Sequence, residues 1–290
     1  MQDLIAQAAR LEPHMTVVKP DGPGPFPVCL QFHGCGGIYA MQFDYAEAAH
    51  QTGYAVVVVD SFAPRGITVI EAQTTICTGM RFRGAERSID VLATLAWLKT
   101  QAWADLDRVV LAGWSHGAWS IMEALSGTLN DGKPPQLGIR TAILFYPYCG
   151  PFSRTFARGW GENRPAVYAC LGGRDVVVGR ALPERALRRL EADGLLVRTL
   201  FLKEAAHGFD EQAPRAPRTR YRPDLALIAR GFYVEALDEG PVQPSRGESE
   251  PGDPASSLAP SADLSPPGPR STSSTPASTS PVAPRTSCRP

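Results

Sequence analysis

Six short apolar runs that alternate with amphipathic stretches leave this chain few folds to choose from. The runs are Val28 to Phe32, Ala55 to Asp60, Val109 to Ala112, Thr141 to Tyr146, Val167 to Leu171 and Val197 to Leu202. Most are almost wholly apolar, as strands buried on both faces are. Helix-like segments lie between them at Asp44 to Thr52, Ala85 to Gln101, Ser115 to Leu125, Pro183 to Ala192 and Asp224 to Leu237. The second carries apolar residues at Ile89, Leu92, Leu95, Ala96 and Leu98, and the fourth starts with a proline, which the first turn of a helix tolerates. Strand-helix alternation of this kind predicts an α/β fold, a parallel sheet with helices on both faces.

The alternation stops near Glu239. From there to Pro290 the chain holds 12 of its 27 prolines and no aromatic residue, so it cannot bury enough apolar surface to offset its ordering entropy. We therefore expect one domain over residues 1–238 and a disordered Pro/Ser/Thr-rich tail over 239–290. Lysine plus arginine equals aspartate plus glutamate at 29 each, which gives no global field to attract nucleic acid or an anionic membrane. The first ten residues lack a basic start and an apolar core, and no apolar run reaches the ~18 residues of a membrane span, so the expected location is cytoplasmic. Six irregularly spaced cysteines without a C-x-x-C pair signal neither a zinc site nor a disulfide scaffold. In a reducing compartment most are expected as free thiols.

In an open parallel sheet, functional groups gather at the carboxyl ends of the strands. His33-Gly34-Cys35-Gly36-Gly37 follows the first run, Gly113-Trp114-Ser115-His116-Gly117 the third, Gly172-Gly173-Arg174-Asp175 the fifth, and Ala206-His207-Gly208-Phe209 the last. A serine between two glycines, where a strand gives way to a helix, has the form of a nucleophile elbow, although the five-residue pattern is weak by itself. Its weight comes from the order Ser, Asp, His on successive strand-end loops, the order of α/β-hydrolases. In that reading Ser115 attacks, His207 takes its proton and later returns it, and Asp175 holds the other ring nitrogen. The oxyanion hole is expected from the backbone N–H groups of His116 and Cys35. Competing readings make Ser115 a helix N-cap, His207 a surface histidine and Asp210 the acid. The loop Gly34 to Gly37 has the bland alternative of a tight turn.

Two further residues are placed at the mouth of the site. Arg65, in the loop Asp60 to Gly66, suits a clamp for a substrate carboxylate, or pairing with an acidic neighbour. Trp114 beside the nucleophile, with Phe62, Tyr146, Tyr148 and Phe209, suggests an apolar or aromatic cleft. Cys29 and Cys170 fall inside strands as small core residues, whereas Cys35, Cys77 and Cys149 fall on strand-end loops. A bond between two loop cysteines, Cys35 and Cys77 among the pairings, is the alternative to free thiols.

Over roughly residues 15–237 these motifs, together with Asp60-Ser61-Phe62-Ala63-Pro64-Arg65-Gly66, resemble the dienelactone hydrolase family of α/β-hydrolases. The resemblance implies an eight-stranded, mostly parallel sheet and cofactor-free hydrolysis of esters or lactones. It departs at the nucleophile, because the namesake enzymes use cysteine, and a glutamate in the first strand-end loop, where this chain has Ser115 and His33 to Gly37. The combination looks more like the esterase-like branch. The expected reaction is cleavage of a small carboxylic ester or lactone through an acyl-enzyme, with no cofactor, metal, nucleic acid or membrane and with the oligomeric state open. The alternatives are a peptidase or amidase on the same triad, a non-catalytic binding module, and a metal-dependent hydrolase using His33, Cys35 and Cys149, whose spacing is poor for ligands.

Overall fold

In the computed structural model the described residues are 2–126, 137–153, 159–161, 163–212 and 221–238. Seven strands form one sheet: β1 (Met15–Val18), β2 (Phe26–Phe32), β3 (Ala55–Val59), β4 (Ala104–Trp114), β5 (Ile139–Phe145), β6 (Ala166–Gly172) and β7 (Val197–Leu202). Their order across the sheet is β1-β3-β2-β4-β5-β6-β7. Only β1 runs antiparallel, pairing Met15 with Val59 and Val18 with Val56. The tail expected from Glu239 onward lies outside the described residues.

The uninterrupted apolar character of the strands has a direct cause in the two layers that cover them. Val28, Leu30 and Phe32 of β2 and Val109 and Leu111 of β4 enter one apolar layer, which α1 (Gln2–Leu11), α3 (Gly84–Leu98), α4 (His116–Leu125) and α5 (Ala181–Ala192) cover. The alternate residues, Cys29 of β2 and Val110, Ala112 and Trp114 of β4, enter a second layer under α2 (Ala40–Gln51) and α6 (Pro223–Asp238). Successive side chains point to opposite faces, so a strand buried on both sides needs an apolar residue at every position. The edge strand β7 is freed from this demand, and Arg198, Thr199 and Phe201 are exposed.

The expectation of eight strands is corrected to seven among the described residues. The segment before β1 is the helix α1, so the antiparallel border is one strand wide. Both α1 and β1 escaped the sequence reading. The four residues of β1 are too few and too exposed to stand out as an apolar run. A helical stretch at Val69–Glu71, continuing into Ala72–Ile76, was equally hidden, since its Thr68-Val69-Ile70 start reads as extended. Thr68 begins it by accepting a hydrogen bond from the Glu71 N–H.

Topology places the site. From β2 the chain moves outward to β3, then returns across β2 to form β4 on its other side. The loops after β2 and β4 therefore diverge at a reversal of strand order, where an open α/β sheet leaves a crevice. Register brings the two ends level, Phe32 opposite Gly113 and Trp114 opposite Phe145.

Candidate active site

At the end of β4 the chain turns through Ser115 at φ 50° and ψ −109°, a region that a non-glycine residue enters only under strain, at a cost of about 1–3 kcal/mol. The Ser115 N–H donates to the Phe145 carbonyl at 2.8 Å, and α4 begins at the next residue. Both glycines of the motif are needed by close approach. A Cβ on Gly113 would stand 2.6 Å from the Ala118 nitrogen, and one on Gly117 would overlap the Phe32 carbonyl oxygen and lie 2.7 Å from that of His33. Strand, turn and helix can thus pack tightly enough to present the serine hydroxyl at the crevice.

Ser115 Oγ lies 2.8 Å from His207 Nε2, and His207 Nδ1 lies 2.8 Å from Asp175 Oδ2. A carboxylate only accepts, so Nδ1 carries the proton toward Asp175 and Nε2 is left to accept from the serine hydroxyl. The other carboxylate oxygen of Asp175 accepts from the N–H groups of Val177 at 2.9 Å and Val178 at 3.0 Å, which fixes its plane. All three side chains are buried. This chain of bonds can withdraw a proton from the serine as it attacks and hold the resulting imidazolium against a carboxylate.

Asp210, the competing acid, is occupied elsewhere. It accepts from Tyr146 Oη at 2.7 Å and Tyr45 Oη at 3.0 Å, and burial raises its carboxyl above the usual range against the lowering effect of those two hydroxyls. Tyr146 does reach the site by its ring, which meets the His207 imidazole edge-on at 4.8 Å. That packing partner was missed as such in the sequence, because nothing local announces which strand-end ring will face the histidine.

The glycine loop after β2 comes against the elbow: a Cβ on Gly34 would be 3.7 Å from Ser115 Cβ. His33, fully buried, ties the loop's base. Its Nδ1 donates to the Gly34 carbonyl at 2.7 Å and its Nε2 accepts from the Ser61 N–H at 3.2 Å. Cys35 is joined to Cys77 by a disulfide, with the Cα atoms 5.4 Å apart. This corrects the expectation of free thiols for these two residues and removes Cys35 from the metal-ligand set considered above. Cys29, Cys149 and Cys170 are free and buried, and burial raises all three thiols.

A cleft opens at Ser115, lined by Cys35, His116, Ile76, Trp119, Tyr148 and Val177 among others. Tyr148 stands where the sequence suggested an aromatic wall. Trp114 does not: its ring is fully buried on the other side of the elbow, stacked on Phe145 at 5.1 Å with 2° between planes. Adjacent residues along the chain here point to opposite faces, so the neighbour of Ser115 is turned away from the cleft. Phe62, Tyr146 and Phe209 are likewise buried rather than lining it. The missed aromatic is Trp119, and its signal was its position four residues after Ser115 on the same helix face.

Arg65 is also placed otherwise than a substrate clamp requires. Its guanidinium binds Asp90 through Nη1 at 2.9 Å and Nη2 at 2.8 Å, donates to the Ser61 carbonyl at 2.6 Å, and lies over the Phe82 ring. The pairing alternative is therefore what the fold uses, and Arg65 is absent from the cleft lining. Among the described residues, no cluster of three or more His, Cys, Asp or Glu is arranged for a metal, and no helix is long and apolar enough to cross a membrane.

Residues 14–228 match the model of the dienelactone hydrolase family. No curated protein sequence matches the chain. Among solved structures, one from Klebsiella pneumoniae described as a dienelactone hydrolase aligns at a TM-score of 0.61 and 15% identity, over 78% of this chain and 92% of that one. A dienelactone hydrolase-like promiscuous phosphotriesterase from metagenomic libraries aligns at 0.61 and 16%, over 78% and 99%. The butyrate-bound esterase 2 of Thermogutta terrifontis aligns at 0.55 and 17%, over 78% and 87%. At these identities the structural likeness speaks for the fold.

Proposed function

Because the chain belongs to the dienelactone hydrolase family and is a hydrolase of ester bonds, we propose that it cleaves a small carboxylic ester or lactone through an acyl-enzyme on Ser115. The single observation that carries this reading is the continuous Ser115–His207–Asp175 hydrogen-bond chain at 2.8 Å per link, opening on the cleft. His207 acts first as base and then as acid to the leaving alcohol, and Asp175 keeps its tautomer. The backbone N–H of His116, in the first turn of α4 where no intrahelical acceptor is available, and that of Cys35 receive the oxyanion.

The lining supports a substrate with a small apolar acyl group, since Ile76, Trp119, Val177 and Val178 line the same cleft as the serine. The Thermogutta relative holds butyrate, which makes p-nitrophenyl butyrate a reasonable first probe. We expect that ester to be cleaved with an initial burst, and Ser115→Ala to abolish the reaction; hydrolysis surviving in the variant overturns the assignment. Matched ester and amide substrates test the peptidase or amidase alternative. A fluorophosphonate that fails to label Ser115 would favour the non-catalytic reading. The Cys35–Cys77 bond favours an oxidising compartment over the cytosol expected from the N-terminus.

A further inference from the structure

Arg87, on α3, is fully buried, and its guanidinium reaches beneath both segments that carry the proposed oxyanion donors. Nη1 donates to the His33 carbonyl at 2.7 Å and to His116 Nδ1 at 3.0 Å, while Nε donates to Ser61 Oγ at 3.1 Å. His33 is the residue immediately before the glycine loop, and His116 opens α4. We infer that Arg87 is a positioning residue for the oxyanion hole, one Nη1 atom setting the spacing between the Cys35 and His116 backbone donors. This inference rests on the proposed role of Ser115 and its two donors.

The bonds around Arg87 are directed at this task. Among the described residues no carboxylate is hydrogen-bonded to it; Asp90, one turn along α3, is bound by Arg65 and by Gln7 at 2.7 Å. Burial draws the guanidinium down to about 10, which leaves it charged at neutral pH. An arginine can only donate, so His116 Nδ1 must accept and its Nε2–H must donate to the Phe82 carbonyl at 2.8 Å. The His116 ring is held neutral and fixed at both nitrogens, while His33 fixes the next carbonyl of the loop. Preorganised donors act on the charge that develops during reaction, so a shift in their spacing falls on turnover more than on substrate binding.

Arg87→Lys and Arg87→Met separate this role from a structural one. Turnover of p-nitrophenyl butyrate is measured per active site, with sites counted by complete fluorophosphonate labelling of Ser115. We expect Arg87→Lys to fold, to lose on the order of ten- to a hundredfold in kcat per labelled site, and to change KM by less than about threefold; Arg87→Met, where it folds, loses more. A merely structural role predicts fewer labelled sites with unchanged kcat per site, and that result overturns the inference. So does a loss confined to KM, and so does failure of both variants to fold. If the wild-type protein is not labelled at Ser115, the underlying functional reading fails instead.

Discussion

Removing the Cys35–Cys77 disulfide tests whether the covalent tie at the cleft stabilises the domain. The bond spans 42 residues of sequence and encloses β3 and α2. Treating the cross-link as a constraint on the unfolded chain, a loop of that size removes about 13 cal/mol/K of entropy, or about 4 kcal/mol near room temperature. For a domain of this length that corresponds to a fall in Tm of roughly 8–16 °C. The assay is thermal or urea unfolding of the oxidised protein, the dithiothreitol-treated protein and the Cys35→Ala/Cys77→Ala variant. Cys77 is exposed and Cys35 half-buried, so reductant reaches the bond without unfolding, and thiol titration in denaturant should gain two groups after reduction. Ester hydrolysis should fall in the reduced protein as well, because the tie joins the loop bearing the proposed Cys35 oxyanion donor to the Cys77 wall of the cleft. A Tm change below about 3 °C, or an effect of reductant that persists in the double variant, would refute the reasoning.

Three further outcomes follow from the same geometry. Asp175→Asn should preserve the fold and reduce kcat by on the order of 10⁴, because the amide lets His207 take the wrong tautomer; a reduction below about tenfold speaks against Asp175 as the orienting acid. Gly117→Ala should destabilise by about 3 kcal/mol or more, or prevent folding, since its Cβ would overlap the Phe32 carbonyl; an unchanged unfolding midpoint contradicts that close approach. Desolvation, followed by the charge of Arg87, pulls His116 well below its usual pKa of 6.5 and lowers His33 in the same direction. The unfolded state then takes up protons below about pH 6.5 that the folded state does not, so stability falls with falling pH, by about 1.4 kcal/mol per unit for each histidine that stays neutral. Denaturant titrations at pH 7.5 and 5.5 should show this slope, and His116→Gln should remove its own share; an identical slope in the variant would exclude His116 as a contributor.

The sequence by itself determined the layered α/β order and the three residues, Ser115, His207 and Asp175, that hydrogen-bond in series at the strand ends. Both are carried by local rules: a strand buried on two faces must be apolar throughout, and a serine elbow must have glycines where strand and helix touch. The strand ends also had to carry the chemistry, because the carboxyl edge of a parallel sheet is where its loops converge. Tertiary structure decided what each side chain faces. Trp114 and Ser115 are neighbours in sequence, yet one enters the α2/α6 layer and the other the cleft. Arg65 was open to substrate or to pairing until Asp90, 25 residues away, was brought against it. The Cys35–Cys77 bond was one pairing among several until loops after different strands met. Arg87 gave no signal in the sequence, since an arginine on an amphipathic helix ordinarily marks a solvated face. Its partners His33 and His116 lie 54 and 29 residues away, and only packing of the helix against the sheet brings them into reach. Periodicity reports which face of an element is buried, but the identity of the group it is buried against depends on contacts that no local pattern contains.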